Sequence, residues 1–244
     1  MHFGVFDLFK IGVGPSSSHT VGPMKAARLF LEGLDDLGAV ARIEAEAYGS
    51  LALTGPGHAT DKAILWGLEG VAPEDADPDD LSRRDARIRD EGSLRLLGER
   101  EIPFDPATDL RLKGETRLPF HSNGMRFTAY DAAGAELRSE LWYSIGGGFV
   151  INEAEAGRNS AGEALEGEPY PFNSCEELLA ICDREALPVW KVMLANETAF
   201  RSEAEVRAQV RDVWEAMEAC IERGTRVEGL LPGALKVRRR APEM

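Results

Sequence analysis

A chain of 244 residues, with 43% hydrophobic and 29% charged residues, can bury a full core and has the composition of a globular protein, which excludes a disordered or fibrous one. Its formal net charge of -14 at pH 7 disfavours binding to nucleic acid or to an anionic membrane surface, so we expect small-molecule partners. The absence of both a secretory signal and an apolar run of roughly 20 residues predicts a cytoplasmic protein.

The three cysteines are Cys175, Cys182 and Cys220, and they form no CxxC pair. An odd number of cysteines without metal-ligand spacing argues against a disulfide framework and against a metal site. We therefore expect buried thiols that contribute to packing.

Residues 14–23, GPSSSHTVGP, place three serines, a histidine and a threonine directly before a helical pattern. Pro23 suits the first turn of a helix, because the amide that it lacks would have no partner there. The apolar residues from Met24 to Leu34 then recur at helical spacing. We predict a helix over about 23–34 whose amino end points at the serine loop.

A second loop with a histidine leads into a second predicted helix. Residues 42–48, RIEAEAY, alternate as a half-buried strand does, and the Gly-Pro-Gly loop that follows carries His58. Thr60 is the predicted N-cap of a helix over about 61–69. Asp61 either orients the His58 imidazole or is a carboxylate of the first helical turn, and the second interpretation is favoured.

A third helix is delimited by Asp77 as N-cap, Pro78 as its first residue and Gly92 just past its end. From about 99 to 150 the pattern becomes one of strands. The segments EREIPF and TDLRLKG predict short strands, and MRFTAYD and ELRSELWYSIGGGFV predict an antiparallel hairpin. Its triple glycine, residues 146–148, fits a bulge or a close approach of the backbone to a ligand.

The residues just before this hairpin, Ser122, Asn123 and Gly124, predict a tight turn, because Asn and Gly tolerate positive φ. Such a turn would present His121 and Asn123 at a strand end.

Residues 153–172 have the small, acidic and aperiodic composition of a linker. We therefore predict an α+β fold class: a mixed α/β domain with an antiparallel hairpin over 1–152, then the incomplete start of an all-α domain over 173–244.

Helices in this second part are predicted from N-cap and N3 pairs of the capping-box kind, Ser174 with Glu177 and Ser202 with Glu205. The second pair begins a helix over about 203–223 that stops at Gly224. One apolar stripe on this helix needs a covering surface, and it consists of Val206, Val210, Val213, Met217 and Cys220.

Apart from His2, each histidine lies in a box rich in Gly or Ser, and we name these boxes by their histidines: the His19 box (SSSHT), the His58 box (GPGHATD) and the His121 box (HSNG). An imidazole takes up and releases protons near neutral pH. One such histidine alone is most simply explained as capping a turn, whereas three such boxes together favour a proton-handling site.

The serine loop offers four hydroxyls, from Ser16, Ser17, Ser18 and Thr20, beside a helix start, where backbone amides attract anions. A single hydroxyl would suffice as a cap, so the surplus predicts a bound carboxylate or phosphate. The motifs GxxxxGK[ST], GxGxxG, GxSxG and HExxH are absent, which disfavours nucleotide-binding, serine-hydrolase and zincin functions.

Four segments together resemble one family: FDLFKIGVGPSSSHTVGPM, YGSLALTGPGHATDKAILWGL, HSNGMRF and YSIGGGF. In this order and spacing they are similar to the amino-terminal half of the bacterial iron-sulfur L-serine dehydratases, or L-serine ammonia-lyases. The resemblance runs from Val5 to about Asn152. It continues more weakly to LLPGALKVRRR, where the family usually has a glycine in place of Ala234.

The resemblance implies the β-domain of such an enzyme, similar in fold to the allosteric substrate-binding domain of some phosphoglycerate dehydrogenases, followed by the start of its α-domain. Family members convert L-serine to pyruvate and ammonia with a [4Fe-4S] cluster, in amino-acid catabolism and gluconeogenesis. Three cysteines of a carboxy-terminal domain hold the cluster, and the cysteines of this chain do not match them. The resemblance thus implies a fragment that is inactive alone, a missing cluster domain as partner, and a homodimer in the complete enzyme.

By the same resemblance His58 is the catalytic base that removes the α-proton of L-serine. The substrate-binding residues implied are Ser16, Ser17, Ser18, His19, Thr20, His121, Ser122, Asn123 and Gly124. Two other hypotheses stay open: an effector-sensing module that binds an amino acid or another carboxylate through the same loops, and a purely structural dimerisation domain.

Overall fold

The computed structural model describes residues 4–157, 167–231 and 237–244. The chain divides into two compact units. The sheet unit comprises Gly12–Asn159 and Leu230–Arg238, and the helical unit comprises Met1–Ile11, Ser160–Gly229 and Arg239–Met244. Residues 158–166 of the predicted linker and residues 232–236 of the segment LLPGALKVRRR, which include Ala234, lie outside the described residues.

Within the described residues of the sheet unit, five strands form one mixed sheet in the order β4-β1-β5-β6-β7. Only the β1–β4 pair of this sheet is parallel. The strands are β1 (Arg42–Tyr48), β4 (Leu110–Lys113), β5 (Gly124–Tyr130), β6 (Glu136–Gly146) and β7 (Phe149–Asn152). A separate ribbon pairs β2 (Ser93–Leu96) with β3 (Arg100–Pro103). The predicted α+β class is confirmed.

Strand β1 has the alternation that its sequence predicts. Ile43, Ala45 and Ala47 are fully buried in the main core, whereas Glu46, on the opposite face, pairs with Lys113 of β4. Alternation along a strand directs successive side chains to opposite faces, so one face of the sheet joins the core and the other carries ion pairs.

Helices α2 (Gly22–Glu32) and α5 (Thr60–Leu68) pack against each other. They approach each other closely at Gly67, where a Cβ atom would overlap the carbonyl oxygen of Met24. Both helices contribute fully buried residues to the main core, among them Phe30 and Leu65. This pairing brings the starts of the two helices together, and each start follows one histidine box.

Helix α6 (Pro78–Glu91) begins and ends as predicted. The side chain of Asp77 accepts hydrogen bonds from the amides of Asp79 and Asp80, and Gly92 closes the helix at φ 62°. Strand β2 was not predicted, because its four residues, SLRL, are too few to show a period and follow the helix directly.

The predicted hairpin of β5 and β6 is confirmed. The predicted long second strand is interrupted, because the chain reverses at the triple glycine and returns as β7. Gly146, Gly147 and Gly148 all have positive φ, at 103°, 59° and 78°. Residues with side chains rarely adopt this conformation, which explains three glycines in a row.

The helical unit contains α1 (Val5–Leu8), α9 (Cys175–Glu185), α10 (Val189–Thr198) and α11 (Glu203–Arg226). Both predicted N-caps are confirmed: Ser174 accepts from the amide of Glu177, and Ser202 with Glu205 forms a capping box. The prediction that the last helix stops at Gly224 was wrong. One glycine inside a helix costs only about 1 kcal/mol, and α11 continues past it for two residues.

The predicted apolar stripe of α11 is buried only at its start. Val206 is 4% exposed and Val213 is half-buried, whereas Val210 and Met217 are 49% and 47% exposed and Cys220 is also exposed. In the described part of the chain, most of this stripe is therefore exposed.

Short elements complete the described structure. They are α3 (Gly49–Leu53), α4 (Gly55–His58), α7 (Pro106–Asp109), α8 (Glu153–Ala156) and the 3-10 turns Leu37–Ala39, Pro73–Asp75 and Ala241–Glu243. None of the described helices combines the length and the apolar character that crossing a bilayer requires.

Candidate functional site

The serine loop is helical, which corrects its prediction as a loop that ends at Pro23. Residues Ser17–Val21 form one π-helical turn that continues into α2. Ser16 caps this turn: its hydroxyl accepts from the amide of His19 at 3.2 Å, and its carbonyl accepts from the amides of Thr20 and Val21. The helical segment therefore begins five residues before α2 itself.

His19 is half-buried, and hydroxyls lie within hydrogen-bond distance of both its ring nitrogens. Nδ1 lies 2.9 Å from the Ser18 hydroxyl, and Nε2 lies 3.0 Å from the hydroxyl of Ser50 in α3. The ring centroids of His19 and His58 are 5.0 Å apart. Burial, and secondarily the nearby imidazole of His58, lower the pKa of His19 below its ordinary value. The ring is therefore neutral at pH 7.

The imidazole of His58 is fixed by the backbone before it. Its Nδ1 lies 3.0 Å from the carbonyl oxygen of Thr54. A carbonyl oxygen only accepts hydrogen bonds, so Nδ1 carries the proton in the neutral ring and Nε2 keeps its lone pair. The Thr54 hydroxyl in turn donates to the carbonyl of Ser50 at 2.9 Å.

Two buried threonines join the His19 and His58 boxes reciprocally. The hydroxyl of Thr20 donates to the carbonyl of His58 at 2.8 Å, and the hydroxyl of Thr60 donates to the carbonyl of His19 at 2.6 Å. Thr60 is therefore not the N-cap that was predicted: Ala59, in the left-handed conformation at φ 55°, occupies that position.

Asp61 lies in the first turn of α5 and pairs with Arg89 at 3.6 Å. The favoured interpretation of Asp61, a first-turn carboxylate, is confirmed.

The His121 box joins the other two through α3. The amide of Ser50 donates to the carbonyl of Ser122 at 3.0 Å. Gly49 has φ 49°, and a Cβ atom there would lie 2.7 Å from the same carbonyl, so only glycine fits this contact. Ser50 thus contacts the His19 ring with its side chain and the His121 box with its backbone.

Within the His121 box, the amide of Asn123 donates to Nδ1 of His121 at 3.1 Å. Nδ1 therefore accepts, and the neutral ring carries its proton on Nε2. The buried side chain of Asn123 donates to the carbonyl of Ser144 at 3.2 Å, which anchors the box to β6. Gly124 begins β5.

The triple-glycine turn lies against the π-helical turn. A Cβ atom on Gly148 would lie 3.1 Å from Val21. Ser144, at the other end of this turn, is fully buried beside Gly22, and its hydroxyl has no hydrogen-bond partner among the described residues. The register of the β6–β7 pair shifts between Ser144 and Gly146, which agrees with the predicted bulge, and a close approach of these glycines to a ligand stays a prediction.

The predicted site residues differ in how freely they face solvent. Ser17 and Ser122 are exposed, Ser16, Ser18, His19, His58 and His121 are half-buried, and Thr20, Asn123 and Gly124 are buried. Thr20 and Asn123 use their side chains to hold the boxes together. The substrate-binding and catalytic roles implied by the resemblance stay predictions.

The cysteines correct one prediction. Cys175 and Cys220 are exposed, so they are not the buried thiols that were expected, and Cys182 is half-buried. Across residues 4–157, 167–231 and 237–244, no group of three or more His, Cys, Asp or Glu side chains could hold a metal ion. The described residues thus do not fit an iron-sulfur cluster.

Sequence reasoning missed Ser50 and Thr54 as members of the site. Both lie in the stretch that resembles the family, but neither is a histidine or part of a serine run. Their position in the chain could have indicated this membership, because both residues lie between the end of β1 and His58.

The fold and the site define an α+β domain in which hydrogen bonds join three histidine boxes beside a helix start. Comparison with known proteins identifies the family of this domain. The family model described as "Serine dehydratase beta chain" matches residues 4–155, and "Serine dehydratase alpha chain" matches residues 184–244. The chain belongs to the serine dehydratase family.

Individual relatives agree with this membership. The chain is 46% identical to "L-serine dehydratase" of Streptomyces coelicolor, over 99% of this chain and 54% of the relative. It is 44% identical to "L-serine dehydratase 1" of Escherichia coli, over 97% and 52%, and 36% identical to "L-serine dehydratase" of Helicobacter pylori, over 99% and 53%. The chain spans about half the length of the curated relatives it matches.

Proposed function

We propose that this chain is the substrate-binding and base-bearing part of an L-serine ammonia-lyase. The reaction removes the α-proton and the β-hydroxyl of L-serine as water, and the resulting aminoacrylate hydrolyses to pyruvate and ammonia. The observation that carries the proposal is the position of the His58 ring: its Nδ1 lies 3.0 Å from the carbonyl oxygen of Thr54, and its centroid lies 5.0 Å from that of His19. A proton on Nδ1 satisfies this carbonyl and leaves Nε2 with its lone pair.

His58 is the base in this proposal. Its Nε2 takes the α-proton and leaves the electron pair of the Cα–H bond on Cα. That pair then forms the Cα–Cβ double bond when the hydroxyl leaves as hydroxide, which takes up a proton to become water. A neutral His19 nearby suits this role, because a charged neighbour would oppose the charge that develops on His58. The backbone contact at Thr54 fixes the ring while the proton is transferred.

The helical segment that starts at Ser16 would bind the substrate carboxylate. The amides of Ser17 and Ser18 are the first two of this segment, and among the described residues they have no acceptor. Free amides and the positive end of a helix attract an anion. The hydroxyls of Ser16 and Ser18 lie at the same helix start, 3.4 Å apart.

His121 would contribute a donor to the same ligand, because its proton lies on Nε2 when Nδ1 accepts from the amide of Asn123. Asn123, Ser122 and Gly124 would support this position, and Thr20 would hold the His58 box against the serine turn. These roles follow the family resemblance, and the hydrogen bonds described above are compatible with them.

The complete enzyme in this proposal is longer than the chain. The chain covers 54% of the Streptomyces coelicolor relative, and the described cysteines do not form a cluster site. We propose that the ligands of the [4Fe-4S] cluster implied by the resemblance lie outside this chain, that the complete enzyme is a cytoplasmic homodimer, and that the chain is inactive alone.

The test replaces His58 by Ala in the complete enzyme. Removal of a general base typically slows turnover about 10²- to 10⁴-fold, and we expect pyruvate formation from L-serine to fall by that amount. Exchange of the α-proton of L-serine with deuterium from solvent should fall in parallel, because it reports proton removal alone. A matched control, Ser82→Ala on the exposed side of α6, should change neither rate.

Near-normal exchange in the His58→Ala enzyme would exclude His58 as the base. If the unmodified complete protein binds L-serine in calorimetry but forms no pyruvate, the chain is an effector-binding module instead.

A further inference from the structure

The two threonines that join the His19 and His58 boxes are both 0% exposed. Thr20 follows His19 directly and donates to the carbonyl of His58, and Thr60 lies two residues after His58 and donates to the carbonyl of His19. A carbonyl oxygen only accepts hydrogen bonds, so the direction of both bonds is fixed. We call this reciprocal pair, Thr20 and Thr60, the threonine clasp.

The carbonyl of His19 lacks its ordinary donor because of the residue four positions later. In an α-helix each carbonyl accepts from the amide of that residue, which for His19 is Pro23, and proline has no amide hydrogen. The chain is helical on both sides of this peptide, from Ser17 through α2. The hydroxyl of Thr60, at 2.6 Å, therefore takes the place of the missing amide.

The backbone of the His58 box has an unfavourable conformation at Ala59. This residue lies between α4 and α5 in the left-handed region, at φ 55° and ψ 34°. Such a conformation costs free energy for a residue with a side chain, and it persists where the surrounding structure holds it. The clasp bonds lie on both sides of Ala59, at the carbonyl of His58 and at the hydroxyl of Thr60. The clasp thus fixes the backbone that carries the His58 ring.

We propose that Thr60 is a positioning residue that, together with Thr20, holds the His58 ring against the His19 ring. The contact of Nδ1 with the carbonyl of Thr54 orients the His58 ring within its own box, whereas the clasp joins the two backbone segments that carry the rings. The ring centroids are 5.0 Å apart as a result. The use of His58 as a base rests on the proposed function, and the position of its ring does not.

The test detects contact between the two rings, as nuclear Overhauser effects between ring protons of His19 and His58 in the full chain. The unmodified chain should show them, because the rings are in contact. Thr60→Val keeps the shape of the side chain but removes the donor, and these effects should be lost. Thr60→Ser, which keeps a hydroxyl, should retain them. The matched control Thr225→Val removes a hydroxyl that bonds only within α11 and should leave them unchanged.

Rings that stay in contact in Thr60→Val overturn the proposal, and so does loss of contact in Thr60→Ser. If Thr60→Val does not fold, the comparison is made in an Ala59→Gly chain, because glycine adopts the left-handed conformation at little cost and relieves the strain there. In that chain, too, Thr60→Val must remove the effects, and effects that persist overturn the proposal. The outcome is independent of the His58→Ala test, which follows turnover and deuterium exchange.

Discussion

The histidine boxes of the sheet unit and helix α11 of the helical unit differ in the sequence range of the hydrogen bonds within each of them. Around the histidine boxes, side-chain hydrogen bonds join residues 31, 38 and 41 positions apart. In α11, by contrast, Ser202 bonds to Glu205 and Arg207 bonds to Glu203, three and four positions apart. Local contacts define a helix without defining what surrounds it, whereas long-range contacts define a site.

Burial shows the same difference. The largest cluster of buried apolar residues combines α2, α5 and three strands of the main sheet in the sheet unit. In the helical unit only Ile181, Val192 and Val206 are buried apolar residues among those described. We expect substitutions to lower the free energy of unfolding strongly in the sheet unit and weakly in the helical unit. Four predictions follow from this contrast, from the largest expected effect to the smallest.

Truncation of a buried aromatic ring gives the largest expected effect. Phe127 of β5 is fully buried against Phe30, with ring centroids 5.5 Å apart. Phe127→Ala should lower the free energy of unfolding of the sheet unit by about 3–5 kcal/mol, because it removes the ring and leaves a cavity. Trp214→Ala on the exposed face of α11 is the matched control and should stay within about 0.5 kcal/mol. Denaturant unfolding measures both, and equal losses would contradict the contrast.

Removal of a buried hydroxyl should have an intermediate effect. Thr60→Val keeps the shape of the buried side chain but leaves the partly buried carbonyl of His19 without this donor, which should cost about 1–3 kcal/mol. Thr225→Val removes an exposed hydroxyl that bonds only within α11. Because the same substitution is made in a helix in both cases, the difference in unfolding free energy isolates the long-range bond. A larger loss for Thr225→Val would be evidence against our interpretation.

The cap of α11 should have a smaller, local effect. Ser202→Ala removes an N-cap and should cost about 1 kcal/mol of helix stability. Amide hydrogen exchange in the first turn of α11 should speed up, while exchange in β5 stays unchanged. Ser202→Asn, which keeps a capping oxygen, should restore slow exchange, and a change that spreads into β5 would refute a purely local role.

The smallest effect concerns pH. The folded pKa of His19 lies below its unfolded value of about 6.5, so protons bind more tightly to the unfolded chain. The neutral ring contributes its full stability at pH values above the pKa of His19 in the unfolded chain. This contribution is lost as the pH falls through the pKa of His19 in the folded chain. The unmodified chain should therefore lose more stability on acidification than His19→Gln does, as measured by denaturant unfolding at several pH values. Parallel curves would contradict this assignment.

Much of the fold could be predicted from the sequence, because it is encoded locally. The alternation of β1, the hairpin of β5 and β6, and the caps at Asp77, Ser174 and Ser202 all follow from residues within a few positions of one another. The errors are local as well. The single Gly224 did not stop α11, and the short β2 had too few residues to show a period.

The candidate site was only partly predictable. The boxes of His19, His58 and His121 stand out by composition, but their convergence depends on α3, which brings Ser50 to the His19 ring and to Ser122. The partner of Thr60 lies 41 positions earlier, so its hydroxyl serves tertiary structure and not the helix start. Nothing in a local pattern distinguishes these two uses of a threonine.

The π-helical turn at Ser17–Val21 has a consequence for how the site can change during evolution. Such a turn holds one residue more than an α-helical turn, so a single-residue deletion there would rewind it to ordinary α geometry. Each residue of an α-helix rotates the chain by about 100°, so Ser16 and Ser18 would swing that far around the helix axis, while the buried face of α2 stayed in place. A single-residue deletion would thus change the direction of both hydroxyls at once, which a substitution would not do, and could adapt the site to a different ligand.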